Sequence, residues 1–412
     1  MGLPRMRTPS RGRGTLDHGT PRDGPALTQP SEASIRIDLG RHDWTVEVHG
    51  ASAELHRGRP AHPAATISTD PRTFARLRHG TLSGVEAFLT GRLSVRGNLS
   101  LAMRLETLLE REDGSPSFLR AGNCRAGGVD SFYLEAGSGP PVILLHGLGA
   151  TNASMLTTLW ELARDHRVIA PDLPGHGDTG KPIRAYDFPF FADWTVALMD
   201  QLGIPRATLI GNSMGGRVAV EVGLRQPARV DRLVLLAPSS AFLRHRQFVP
   251  LVRLLRPELA HFPVLITHGA VVDAIRGMFA RPERLPEQWY HAAADEFVRV
   301  FHTARGRVAF FSALRQIYLD EPHGEHGFWD RLPQLRRPSL FIWGERDWLV
   351  PSRFARHVTD ALPNSMSVVL EDCGHVPQFE LPEITHRLIR DFLHRRPRVA
   401  EVAQRAKAAQ PE

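Results

Sequence analysis

The chain reads as α/β in class, with a smaller α+β segment ahead of the main domain, and three observations predict this. The apolar strand Ala207-Thr208-Leu209-Ile210 runs into Gly211-Asn212-Ser213-Met214-Gly215-Gly216 and then into an Ala/Val-rich stretch, Arg217 to Leu224, that reads as a helix. Other short apolar strands, Val142–Leu145, Val168–Ala170, Ser339–Trp343 and Ser367–Leu370, each end in a loop rich in Gly, Asp or His. Finally, 412 residues exceed what one such domain needs, and the surplus is amino-terminal, where the hydrophobic rhythm differs.

Taken in chain order, residues 1–30 are rich in Pro, Gly, Arg and Thr and hold almost no large apolar side chains, so disorder is expected there. They lack the apolar core of a secretory signal, and no run of 18 apolar residues occurs anywhere. A cytoplasmic protein with at most peripheral membrane contact is the expectation, and the two distant cysteines, Cys124 and Cys373, suit a reducing compartment. Residues 31–112 read as a small α+β domain. Trp44 to Val48 alternates as a strand, and so does Ala64 to Ser68. Asp70-Pro71 opens a helix as N-cap and first-turn proline, with Phe74 and Leu77 and then Val85, Ala87 and Phe88 at helical spacing. Gly91 to Asn98 gives a strand and turn, and Leu99 to Leu109 a helix that is apolar on one face. This order, with Thr66-Ile67-Ser68, Phe88-Leu89-Thr90-Gly91-Arg92-Leu93 and Val95-Arg96-Gly97-Asn98-Leu99, resembles the carboxyl-terminal two thirds of sterol-carrier-type lipid-binding domains. The resemblance implies a lipid or sterol ligand here, tethered so as to raise the substrate concentration near the main domain. The plainer reading is a ligand-free structural or dimerisation element, since apolar helix faces are more often core than cavity. Residues 113–120 read as a linker, 121–396 as the main domain and 397–412 as a frayed tail.

Within the main domain the serine is the most informative residue. Gly-x-Ser-x-Gly between a strand and a helix holds a hydroxyl on a turn too tight for flanking side chains, and the helix start aims free N–H groups at developing negative charge. Alone, the pattern could be a strand–loop–helix joint with an incidental serine. Order and spacing decide the matter. Val142–Leu145 ends in His146-Gly147-Leu148-Gly149, which offers a backbone N–H to an oxyanion, and Leu148 and Met214 are the expected donors. Gly344-Glu345-Arg346-Asp347 follows the strand Ser339–Trp343, and Glu371-Asp372-Cys373-Gly374-His375 follows Ser367–Leu370. Taken singly, Asp347 is a loop acid and His375 one of 20 histidines. In the order Ser213, Asp347, His375, with Pro171-Asp172-Leu173-Pro174-Gly175-His176-Gly177 as a further loop, the chain from about Ser117 to Arg396 resembles the α/β-hydrolase superfamily.

That resemblance implies a mostly parallel doubly wound sheet, a helical cap at about 241–331, and a triad of Ser213 nucleophile, His375 base and Asp347 orienting acid. Glu345 and Asp372 are the weaker acid candidates. The cap's apolar side chains, Phe242, Phe248, Leu251, Leu254 and Leu255, then Phe301, Phe310, Phe311 and Leu314, are expected mainly in core packing, with one face lining a substrate pocket. Val376 stands where the similar carbon–carbon bond hydrolases carry a tryptophan after the histidine, which favours a hydrophobic carboxylic ester as substrate. Cleavage of carbon–carbon bonds in ring-fission products is the alternative, and a lipid binder without catalysis the second. No cofactor or metal is expected: His245, His261 and His268 show no zinc-like pairing with an acid. The net charge of +7 is nearly all arginine, only Lys181 and Lys407 being lysines, and no base-stacking motif accompanies it, so nucleic acid is not expected as a partner. The oligomeric state is not readable.

Overall fold

The computed structural model describes residues 33–49, 52–108, 117–239, 252–253, 256–262 and 265–394. Residues 1–30, the first half of the linker (113–116), the cap residues His245, Phe242, Phe248, Leu251, Leu254 and Leu255, and the tail 397–412 lie outside the described residues. Among the described residues no helix is long and apolar enough to cross a membrane.

The amino-terminal module is a five-stranded sheet carrying three helices. Strands β1 (Ala33–Asp38), β2 (Asp43–His49), β3 (Ser52–Arg57), β4 (Ala65–Thr69) and β5 (Leu93–Gly97) lie in the order β3-β2-β1-β4-β5. Helix α1 (Pro71–Arg78) starts as the sequence predicts: Asp70 is the N-cap, its side chain accepts from the Arg72 and Thr73 amides, and Pro71 takes the first helical position. Helices α2 (Gly84–Leu89) and α3 (Leu99–Leu108) complete the module.

The main domain is an eight-stranded sheet of β6 (Leu119–Ala126), β7 (Val129–Ala136), β8 (Pro141–Leu145), β9 (Arg167–Pro171), β10 (Ala207–Asn212), β11 (Val230–Leu236), β12 (Ser339–Gly344) and β13 (Met366–Leu370), ordered β13-β12-β11-β10-β8-β9-β7-β6. The six strands from β9 to β13 along that order pair parallel, whereas β7 runs antiparallel to both β9 and β6. Strand β6 begins at Leu119, two residues inside the expected linker.

Both faces of the parallel strands inside the edge strand β13 are covered, so their sequences read as continuous apolar runs. Ile143, Leu145, Leu209, Leu235 and Phe341 pack on one face with α5 (Phe188–Gln201) and α6 (Met214–Arg225). Val142, Leu144, Val168, Ile210 and Val234 pack on the other with α4 (Leu156–Leu162) and the last helix, Pro382–His394. This second layer is one continuous apolar cluster with the module's own core, including Ile35, Ile37, Val95 and Phe88. Between β11 and β12 the described cap residues form helices His268–Arg276, Glu287–Phe301 and Ala304–Leu319 over the carboxyl ends of the central strands.

Candidate active site

Ser213 sits between β10 and α6 with φ 53° and ψ −117°. A side chain is rarely tolerated there, and the neighbouring glycines explain how the turn closes. A Cβ on Gly215 would lie 2.1 Å from the Leu145 carbonyl oxygen of β8, and one on Gly211 would lie 2.3 Å from the Gly215 carbonyl carbon. The helix opens at Met214, three residues earlier than Arg217, so the glycine pair forms its first turn.

His375 and Asp347 meet as the chain order implies. The His375 Nδ1–H donates to Asp347 Oδ2 at 2.7 Å, and both residues are buried. A carboxylate only accepts, so this bond places the proton on Nδ1 and leaves Nε2 free to receive one. Asp347 Oδ1 accepts the Leu349 and Val350 amides, each at 2.9 Å, which fixes the acid's own orientation. Neither weaker acid candidate takes this place. Asp372 is partly exposed and bound by Arg281, Arg284 and Arg346, Arg281 foremost in holding its carboxyl below the usual range. Glu345 accepts the Asp372 amide.

The loop Gly147 to Gly149, the candidate oxyanion loop, has a buttress in His146, a residue to which the sequence assigns no role. His146 is fully buried; its Nε2 accepts the Leu173 amide at 2.9 Å, so its Nδ1–H donates to the Gly147 carbonyl at 2.8 Å. In a trans peptide the carbonyl and the following N–H point opposite ways. Holding the Gly147 oxygen therefore also orients the Leu148 N–H. Burial, and then the neighbouring His176, push the His146 pKa down to about 3, keeping it neutral. Asp172, in the loop after β9, is also buried and accepts the Asn152 and Asp178 amides at 2.8 Å; burial raises its carboxyl to about 7.

The histidine loop is fastened to the cap. The His375 amide donates to the Met278 carbonyl at 2.7 Å, while Glu380, buried, accepts the Gly374 and Arg281 amides at 2.6 Å each. Glu380 is another residue that sequence reasoning missed, because its partners are backbone amides and leave no pattern in side chains.

Ser213, His375 and the loop Gly147 to Gly149 open into one cavity of about 790 Å³. Most of its wall is apolar, including Phe297, Phe310 and Leu314 of the cap. Phe301, by contrast, is buried in packing, with rings stacked against Phe297 and edge-on to Phe310. Among the described lining residues Arg353 is the only Arg or Lys and Glu296 the only acid. Of the three cap histidines considered for metal, His261 bonds the Glu258 carbonyl and His268 lies 2.9 Å from Asp295, and no group of three or more His, Cys, Asp or Glu suited to a metal occurs among the described residues.

Comparison with known proteins agrees with this architecture. The family described as α/β hydrolase fold matches residues 140–382, and the SCP-2 sterol transfer family matches residues 15–110. The chain is 30% identical over 285 residues to a 2-hydroxymuconate semialdehyde hydrolase of Pseudomonas sp. (strain CF600), covering 65% of this chain and 92% of that protein. It is 29% identical over 275 residues to a dihydrolipoyllysine-residue acetyltransferase component of an acetoin cleaving system of Pseudomonas putida, covering 64% of this chain and 66% of the relative. Among solved structures, a bacterial membrane phospholipase A superposes with a TM-score of 0.56 at 28% identity, covering 67% of this chain and 86% of that one. A meta-cleavage product hydrolase gives 0.56 at 25% identity, covering 66% and 97%. With the sheet order, the serine turn and a family match over more than half its length in agreement, the chain belongs to the α/β hydrolase fold family.

Proposed function

We propose that the protein is a serine hydrolase that cleaves hydrophobic carboxylic esters. The observation that carries this reading is the His375–Asp347 pair, bonded at 2.7 Å and opening with Ser213 into one largely apolar cavity. His375 Nε2 takes the Ser213 hydroxyl proton as Oγ attacks the ester carbonyl, and the Leu148 and Met214 N–H groups receive the oxyanion. Collapse breaks the bond to the alcohol oxygen, which leaves with the proton from His375. Water, deprotonated by the same nitrogen, then attacks acyl-Ser213 and releases the acid.

A second reading has support of its own. Several similar proteins are carbon–carbon bond hydrolases whose names specify dienoates, such as the 2-hydroxy-6-oxo-2,4-heptadienoate hydrolase of Pseudomonas putida, 28% identical over 273 residues. Such a substrate brings a carboxylate, for which Arg353 is the one cationic partner among the described lining residues, with the carboxylate of Glu296 opposing it. Ester cleavage fits the apolar wall better. Comparing kcat/KM for p-nitrophenyl esters and for a dienoate ring-fission product decides between them, and a clear preference for the dienoate promotes the second reading. Ser213→Ala is expected to lower ester turnover by a factor on the order of 10³ or more and to abolish fluorophosphonate labelling. Full labelling of Ser213→Ala would end the assignment of Ser213 as nucleophile, and no labelling of the unaltered protein would leave a binding protein.

A further inference from the structure

The cavity at Ser213 does not end at the cap. Phe88 of α2 and Leu99, the first residue of α3, form part of its wall, so the amino-terminal module faces the same space as the nucleophile. Phe88 stacks on Trp289 of the cap with ring centres 5.9 Å apart at 15°, and the Trp289 indole N–H donates to the Phe88 carbonyl at 3.1 Å. Trp289 in turn meets Phe379 edge-on at 5.2 Å, and Phe379 lies in the short helix Pro377–Glu380 that follows His375. A line of aromatic rings therefore runs from the module to the histidine loop.

Polar contacts hold this arrangement in place. Glu296 of the cap, buried, accepts the Leu99 and Ser100 amides at 2.6 and 3.2 Å, taking from another domain two first-turn donors of α3 that the Asn98 side chain, bonded to the Leu101 amide, leaves free. Its other oxygen accepts from Arg299 at 2.7 Å. Beside it, Asp295 accepts from Arg96 at 2.7 Å and from the Gly97 amide at 2.8 Å. A module that swung away to collect lipid would leave the Glu296 carboxylate without its amide partners and open the cavity to water.

We infer that the module is a fixed wall of the catalytic cavity, and that Phe88 and Leu99 set how long an apolar chain the site accepts. This rests on the ester reading for its chemistry, and it replaces delivery from a tethered reservoir by direct lining of the pocket. The substrate class is then an ester with a long aliphatic or similarly extended apolar acyl group, its carbonyl at Ser213 and its far end against the module.

The test uses the full chain with Phe88→Trp, which fills the cavity end, and Phe88→Leu, which opens it. In a Ser213→Ala background, binding of octanoate and palmitate is measured calorimetrically; in the active background, kcat/KM is measured for p-nitrophenyl butyrate and palmitate. Phe88→Trp is expected to lower the long-to-short ratio about tenfold in both measurements, the loss expected when roughly two methylenes lose their burial. Phe88→Leu is expected to raise it. Ratios unmoved in both variants, or long and short substrates altered by the same factor, overturn the inference. If palmitate binding shifts in opposite directions in the two variants while no ester is cleaved, the wall stands and only the ester chemistry falls.

Discussion

Asp347 has both carboxylate oxygens engaged, one by His375 and the other by two amides, so its replacement tests a role and not merely a charge. Asp347→Asn puts an amide where the histidine proton is accepted, favouring the wrong imidazole tautomer, and ester turnover is expected to fall by a factor on the order of 10² to 10⁴. Asp372→Asn, which loosens arginine contacts only, is expected to lose far less; steady-state kinetics on one ester compares the two, and the reverse order would transfer the role to Asp372. Ser213 carries a different signature. Its φ of 53° is held by the fold against the preference of any side chain, a strain of about 1–3 kcal/mol. Glycine relieves that strain while losing about 0.5–1 kcal/mol to its freer unfolded chain. Ser213→Gly is therefore expected to unfold at higher urea than Ser213→Ala by about 1 kcal/mol, and equal midpoints would show the turn to be unstrained.

At the scale of elements, the serine turn works because α6 can lie against β8. Gly215→Ala would drive a Cβ into the Leu145 carbonyl at 2.1 Å, a backbone atom that cannot rotate away. The expected result is a loss of about 1–3 kcal/mol or more, with fluorophosphonate labelling falling as the helix shifts; unchanged labelling and stability would mean that the turn is more pliable than its geometry implies. The same elements indicate what can be read without coordinates. The central strands leading to Ser213 and Asp347 were legible because burial on both faces makes them plain apolar runs ending in Gly and Asp. The α1 boundary was legible because Asp70 and Pro71 are chemical signals. Strand β3, Ser-Ala-Glu-Leu-His-Arg, was not, since it is an edge with mostly exposed side chains whose alternation rests on only two apolar residues, Ala53 and Leu55. The β6–β7 hairpin did leave a signal, Gly127-Gly128 between paired Ala126 and Val129, which marks a two-residue turn. The contacts joining the module to the cap left none: Glu296 and Trp289 bond main-chain groups, which any sequence supplies, and the Arg96–Asp295 and Phe88–Trp289 pairs join residues about 200 apart with no local pattern.

For the whole molecule, buried histidines set the response to acid. Burial holds His146 at about 3 and His176 and His386 at about 4, against an ordinary value of 6.5. Between pH 6.5 and about 4 the unfolded chain protonates these three sites and the folded chain does not, so acid favours unfolding. Asp172, raised to about 7, binds its proton in the folded state and opposes them over the same range. Glu296, its carboxyl also raised by burial, opposes them toward the acid end, so about one to two protons are taken up on unfolding, or roughly 1–3 kcal/mol of stability lost per pH unit. Urea unfolding at pH 6.5 and 5 measures this slope, and stability that holds or rises at pH 5 would contradict it.

The Leu99 amide and the Glu296 carboxylate that caps it stand 197 residues apart in the chain. The module is synthesised first, but the carboxylate that completes the start of α3 is added only after a further interval on the order of 10–40 s at ordinary elongation rates. During that interval the sides of Phe88 and Leu99 that turn away from the module's own core have no cap to lie against. Translation therefore leaves a half-finished, oily surface waiting for the cap, and the step that assembles the pocket is also the step that conceals the chain's early liability to aggregate.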